Sequence, residues 1–250
     1  LLGLYDQAAE VNVTPDRGYA FSLRGIAREW CHATGSSFED FVLAYGERAP
    51  EANDAGHPVV LRDDAPIHGN PGCVRFVMRE VSGVKADAPV PTWMSSRLRL
   101  AGVRSLSLPV DISNYVMLET GQPLHFYDAD KVQGEIVVRR AAAGEKLVTL
   151  DGVERTLHPE DIVIADDSGV IGLAGVMGGA STEVTDSTTR ILIEAARFDE
   201  VSVARTARRH KLISEASKRF ERGVDPQIQA AAAQRAVELL VELADAQVEP

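Results

Sequence analysis

The stretch KLVTLDGVERTLHPEDIVIADDSGVIGLA, residues 146–174, contains two pairs of short apolar runs, each pair folded about a turn signal. Asp151-Gly152 joins residues 146–150 to 153–157, and Asp167-Ser168-Gly169 joins 162–165 to 170–174. Asp-Gly between alternating apolar residues is a strong hairpin signal, because a tight turn needs positive φ, which Gly and Asp tolerate. Hairpins therefore occupy the middle of the chain. Working outward, residues 74–81, 135–139 and 190–195 also read as strands. Residues 91–101 read as a helix with Pro91 in its first turn and Gly102 as its stop. A second helix begins at Ser113 or Asn114, runs to Glu119 and ends at Gly121; further helices are predicted at 199–210 and, amphipathic and long, at 226–246. Without regular βαβ alternation, this arrangement predicts an α+β fold: a mixed, largely antiparallel sheet core with flanking helices.

The N-terminal part reads as a separate small unit. Residues 8–14 alternate as a strand would, Thr14-Pro15-Asp16-Arg17-Gly18 makes a turn, and Ser22 caps a helix running to about His32, before Gly35. From Phe38 to Gly72 the chain is rich in Ala, Pro, Asp, Glu and Gly, with short apolar runs such as Val59-Val60-Leu61. The predicted organisation is a partial preceding domain at 1–40, a connecting segment at 41–71 and a main domain at 72–250.

Composition narrows the function classes. At 250 residues and 45% hydrophobic content the chain can bury a substantial core. Cys31 and Cys73 lie far apart with no CxxC pair, which indicates neither a disulfide framework nor a thiolate zinc site and suits a reducing cytoplasm. No apolar run approaches the roughly 20 residues needed to span a bilayer. The opening LLGLYDQAAEV has no basic flank or small-residue cleavage site and lacks Met, which reads as a piece of a longer chain. A net charge of -11 argues against a broad phosphate-binding surface. The local exception is Arg205, Arg208, Arg209, His210, Lys211, Lys218, Arg219 and Arg222. These either form a nucleic-acid contact or a solvated helix face paired with Glu215 and Glu221.

Candidate chemistry is sparse. Gly172, Gly175, Gly178 and Gly179 match neither GxGxxG nor a P-loop, so their physical meaning is close backbone approach or positive φ. His125 follows Pro123 and precedes aromatic residues, without the spacing of a metal site. Glu194 interrupts the apolar run Ile191-Leu192-Ile193-Glu194-Ala195-Ala196; it is either buried against a hydrogen-bond donor or faces solvent from an edge strand. No GxSxG elbow is present, and Ser214 and Ser217 form no SxxK pair.

Two runs add what general chemistry does not. SNYVMLETGQPLHFYD, residues 113–128, and ARRHKLISEASKRFERGVDP, residues 207–226, resemble the β-subunit of bacterial phenylalanyl-tRNA synthetase, in its editing domain. VNVTPDRGYAFSLRGIAREW, residues 11–30, resembles the segment before that domain, so the likeness spans essentially the whole chain in the family's order. The resemblance implies hydrolysis of mischarged Tyr-tRNA(Phe), within a cytoplasmic, ATP- and Mg-dependent enzyme of protein biosynthesis that has two α and two β subunits. It implies no cofactor or metal for this portion, and no membrane association. The partners implied are the acceptor end of tRNA(Phe) and the α-subunit, which carries aminoacylation. The alternative is a tRNA- and subunit-binding scaffold, inactive in isolation.

By position, the resemblance places Glu194 where a glutamate accepts a hydrogen bond from the tyrosine phenol, and His125 beside the scissile ester. Ser113 and Asn114 match a polar pair near the aminoacyl end, with Asn114 and His125 as the groups implied in catalysis. Gly175 and Gly178 match backbone walls, and Ala216 flanks the aromatic ring. Ser214 stands where threonine is frequent and keeps the hydroxyl. Phenylalanine at such a pocket is expected to leave Glu194 unpaired, a penalty of about 1–3 kcal/mol or more. Backbone N–H groups over 175–179 are expected to stabilise the developing oxyanion.

Overall fold

The computed structural model describes residues 6–53 and 55–250; part of the N-terminal leader reading and one position of the connecting segment fall outside these. In chain order the elements are α1 (Leu23–Thr34), α2 (Phe41–Arg48), β1 (Val59–Leu61), β2 (Cys73–Ser82), α3 (Thr92–Leu100) and α4 (Leu108–Thr120). Then follow β3 (Leu124–Asp128), β4 (Ile136–Arg140), β5 (Lys146–Val148), β6 (Glu154–Thr156), β7 (Ile162–Asp166), β8 (Gly169–Leu173) and β9 (Met177–Gly178). The chain ends with β10 (Ile191–Phe198), α5 (Glu200–His210), α6 (Glu215–Phe220), α7 (Gln229–Ala244) and β11 (Gln247–Val248). The fold is α+β with mostly antiparallel sheets. One sheet has the order β1-β4-β7-β8-β9 and a second the order β11-β2-β10-β3, beside a β5–β6 ribbon; only β1 and β4 pair in parallel. No helix among the described residues is long and apolar enough to cross a membrane.

Strand alternation in β10 divides the interior in two. Ile191, Ile193 and Ala195 face a core shared with α4 and α7, whereas Leu192, Ala196 and Phe198 face a core shared with the first sheet. The first core is roofed by the small side chains of α7, Ala232, Ala233 and Ala236, which let the helix lie close on β2 and β10. Glu194 has the parity of the second set and so points toward the first sheet.

Several sequence expectations need correction. Residues 8–14 form no strand; their alternating side chains are mostly exposed and have no partner strand to pair with. The turn at Pro15 is a short 3-10 helix, Pro15–Ala20. The connecting segment contains two elements: β1 pairs with β4, and α2 packs on α7 through Val42, Ile228 and Ala231. The helix expected from Ser113 begins at Leu108, because Ser107 holds extended backbone at its N-terminus and Pro109 fits the first turn. The edge-strand alternative for Glu194 fails, since β10 is flanked by β2 and β3. Ser22 accepts from the Gly25 N–H and Gly35 closes α1 at φ 73°, as the sequence predicts.

A part-buried ion pair fastens residue 63 to the sheet. Asp63 accepts from Arg140 and from the N–H groups of Gly72 and Ala65, while Arg140 also donates to the Glu160 carbonyl and Ser202 Oγ. Burial raises the Asp63 carboxyl, but these donors outweigh it and hold it below its ordinary range. Removing one partner of such a pair strands the other. Asp63→Ala is expected to lower unfolding free energy by about 3–5 kcal/mol, read from urea denaturation; a loss near zero would show that Arg140 is satisfied without it.

Candidate functional site

Register brings the polar residues together. In the β3–β10 ladder His125 lies directly opposite Glu194, and Tyr127 lies opposite Leu192, hence diagonal to Glu194. Diagonal neighbours on one sheet face are within reach of long and aromatic side chains. The Tyr127 hydroxyl donates a hydrogen bond to Glu194 Oε2. No described residue donates to the other carboxylate oxygen, Oε1. The His125 and Tyr127 rings meet edge to face, with centroids 4.5 Å apart.

The opposite wall comes from the first sheet. A cleft with a volume of about 70 Å³ is lined by His125, Tyr127, Glu194, Gly175, Met177, Gly178, Ala216 and Phe220, among others. This is small against common ligand pockets, so an aromatic ring enters only if flexible lining such as Met177 yields. A Cβ at Gly178 would lie 2.3 Å from His125 Cε1, so this glycine makes room for the imidazole. Gly175 has φ +69° and packs against Phe220, Phe198 and Val203. Ser214 donates to the Val176 carbonyl at 2.9 Å while capping α6, and so ties the helix bearing Ala216 and Phe220 to the glycine turn.

Gln122 fixes β3 against β10. Buried between the layers, its amide donates to the carbonyls of Pro123 and Ala196, and its Oε1 accepts from Gln229 of α7. A buried amide so satisfied holds the entry to β3 in one position.

The electrostatics follow from burial with no cation in the cleft wall. Glu194 is 5% exposed. Burial pushes its carboxyl up to about 7, and the Tyr127 hydrogen bond pulls the other way. Burial, reinforced by the Glu194 charge, lifts the Tyr127 phenol well above its usual value. Burial also lowers His125 to about 4, so its imidazole is neutral at pH 7. His125 Nε2 is buried with no hydrogen-bond partner. Such an orphan in a cleft wall is a place for a ligand atom or a water. Cys73, pushed up to about 12 by burial, is no nucleophile.

Of the residues singled out in the sequence, His125, Glu194, Gly175, Gly178 and Ala216 line one cleft, and Ser214 braces it from behind. Ser113 and Asn114 do not line it; they lie half-buried on α4, where Ser113 donates to the Val110 carbonyl. Two expectations change. Glu194 already has a phenolic partner in Tyr127, so an unhydroxylated ring leaves only Oε1 without a donor. The N–H groups of Val176 and Gly179 already bond the carbonyls of Leu173 and Ile171, which removes both as oxyanion donors. Tyr127 and Gln122 were not singled out, although the alternation of residues 124–128 and the pairing of Gln122 with Pro123 are the signals that mark them. No group of three or more His, Cys, Asp or Glu suited to a metal occurs among the described residues.

The basic cluster is mostly paired. Arg205 and Arg209 meet Glu160, Arg209 and His210 meet the buried Asp161, and Lys218 and Arg219 meet Glu215. The paired-face reading therefore describes most of it, with partners drawn from another loop as well as from its own helix.

Residues 72–245 match the B3/4 domain family. The phenylalanine–tRNA ligase β subunit of Leifsonia xyli is 63% identical over 244 residues, covering 98% of this chain, and that of Streptomyces avermitilis is 59% identical over 247 residues, again 98%. The chain spans 29% of the length of both relatives. A solved N-terminal fragment of the Pyrococcus horikoshii phenylalanyl-tRNA synthetase β-subunit is a remoter match, with 17% identity and a TM-score of 0.41, covering 82% of this chain and 64% of that one. With a family model that matches well over half of it, the chain belongs to the B3/4 domain family and is similar throughout to phenylalanine–tRNA ligase β subunits.

Proposed function

We propose that this chain is the editing portion of a cytoplasmic phenylalanine–tRNA ligase, hydrolysing tyrosine from Tyr-tRNA(Phe) and sparing Phe-tRNA(Phe). The observation that carries this reading is a buried carboxylate with one open oxygen and, on its cross-strand neighbour, an imidazole nitrogen that has no partner, both in the lining of a single cleft. A pocket shaped for phenylalanine rejects an added hydroxyl weakly, whereas a site that bonds the hydroxyl rejects its absence strongly. Glu194 supplies that second kind of site.

In this reading the tyrosyl ring lies between Ala216, Phe220 and the glycine turn, with its phenol on Glu194 Oε1. The ester then lies toward His125, whose neutral imidazole holds the attacking water, accepts its proton as the water oxygen adds to the ester carbonyl, and returns it to the ribose oxygen as the C–O bond breaks. An ester is already activated, so positioning supplies much of the rate. Ser113 and Asn114, outside the cleft, meet the terminal nucleotide rather than the amino acid. The tRNA and the α subunit are the partners, and ATP with Mg belongs to the remainder of the enzyme. The scaffold alternative gains little from the basic cluster, whose charges are mostly neutralised by acidic neighbours.

The complete synthetase carrying this segment is expected to release tyrosine from Tyr-tRNA(Phe) and not phenylalanine from Phe-tRNA(Phe), and Glu194→Ala to abolish that preference. A folded wild-type enzyme that spares both esters would leave the scaffold role. Gly178→Ala drives a methyl into the His125 ring, so tyrosyl-ester hydrolysis should fall roughly tenfold or more with the thermal transition retained; an unchanged rate would take the imidazole position out of the mechanism.

Glu194 should also destabilise the fold at high pH. Its folded pKa lies above the unfolded value, so the native state binds the extra proton, and stability is lost as pH rises from the unfolded toward the folded value. Glu194→Gln, which keeps an acceptor for Tyr127, is therefore expected to stabilise the chain by about 3 kcal/mol above pH 7 and by little near pH 4. A gain independent of pH in chemical denaturation would contradict this account.

A further inference from the structure

Tyr127 is wholly buried, and its hydroxyl makes one hydrogen bond, to Glu194. A tyrosine serving only to fill the core would be better replaced by phenylalanine, because a buried hydroxyl is unfavourable unless it is bonded. The bond runs between adjacent strands, so it fixes the carboxylate in orientation as well as position.

We infer that Tyr127 is a specificity-determining residue of this cleft: its hydroxyl holds one oxygen of Glu194 and thereby presents the other, as an anionic acceptor, to a hydroxylated aromatic ring. The inference rests on the editing reading above and deepens it. The ligand's phenol and the protein's phenol then share one carboxylate, each on its own oxygen.

The surroundings leave the task to Tyr127. From β3 the groups facing Glu194 are His125, neutral at pH 7, and Tyr127 itself; from β2 the titratable neighbours are Cys73, whose thiol burial keeps protonated, and Glu80, which lies diagonal to Glu194 on the same face and is bonded to Arg190. The β8–β9 side contributes Gly172, Leu173, Met177 and Gly178, and α6 contributes Ala216 and Phe220. No Lys or Arg lines the cleft. With no cation to offset burial, the Tyr127 hydroxyl is the group that favours the ionised form of Glu194. An ionised acceptor binds a phenol about twice as strongly as a neutral one, so the donor inside the protein strengthens the bond offered to the ligand.

A structural role for Tyr127 would leave pH dependence unmoved, which sets the experiment. Hydrolysis of Tyr-tRNA(Phe) and Phe-tRNA(Phe) is followed across neutral pH in the complete synthetase, wild type and Tyr127→Phe. The variant is expected to lose roughly tenfold on the tyrosyl ester at pH 7, with the acidic limb of its profile moved to higher pH. Replacing Tyr127 by a fluorotyrosine, a stronger donor of nearly the same shape, should move the limb the opposite way. Both profiles superposing on wild type would overturn the role of Tyr127 while leaving the editing reading intact. Wild-type enzyme inactive on the tyrosyl ester would overturn the editing reading, and this inference with it. If Tyr127→Phe fails to fold, the fluorotyrosine profile decides: an unmoved limb overturns the proposal.

Discussion

The constraint on which this molecule turns is a carboxylate in the interior of a central strand. β10 is paired on both sides, so its side chains have only two directions to take, and each leads into a core. Alternation sends Glu194 toward the first sheet among Leu192, Ala196 and Phe198. A charged group there is tolerable only with a donor beside it. Tyr127 is that donor, and β3 must therefore hold its register against β10, because a slip of one residue would turn Tyr127 into the opposite core and replace it with a neighbour that has no hydroxyl.

The parts around this pair act to keep that register and to leave the cleft open. Gln122 bonds across to Ala196 and is held by Gln229, so helix α7 and strand β10 both fix the start of β3. On the facing wall glycine is required for a steric reason: at Gly178 even a methyl group would collide with His125. Ser214 then fastens α6 to the same turn. The open volume thus survives in a densely packed interior because backbone, rather than side chain, forms one of its sides.

Much of the architecture was legible in the sequence because it rests on local signals. Asp151-Gly152 and Asp167-Ser168-Gly169 mark turns between strands that the structure forms, and Ser22 with Gly35 bounds α1. The glycines near Gly175 and Gly178 read as points of close approach, and the atoms they approach are now identified. What the sequence concealed depends on pairing between distant segments. Residues 8–14 alternate without a partner strand, whereas Val59-Val60-Leu61 looks too short to matter yet joins β4. The phenol on Glu194 is of the same kind: nothing in HFYD states that Tyr127 will stand diagonal to a carboxylate 67 residues away. Ser113 and Asn114 show the converse, a polar pair prominent in the sequence that the helix places outside the cleft.

The charge distribution bears on how such a site would meet the polyanion of the proposed function. The chain carries a net charge of -11, and the arginines of α5 and α6 are largely spent on Glu160, Asp161 and Glu215. A surface of this kind attracts phosphates weakly. Under the proposed function, discrimination then arises inside the cleft, where burial strengthens every polar contact that is made and penalises every one that is missed. Under the proposed function, a carboxylate bonded on one oxygen and open on the other suits that requirement: the cleft senses the missing hydroxyl, and the outer surface needs to supply no more than the approach.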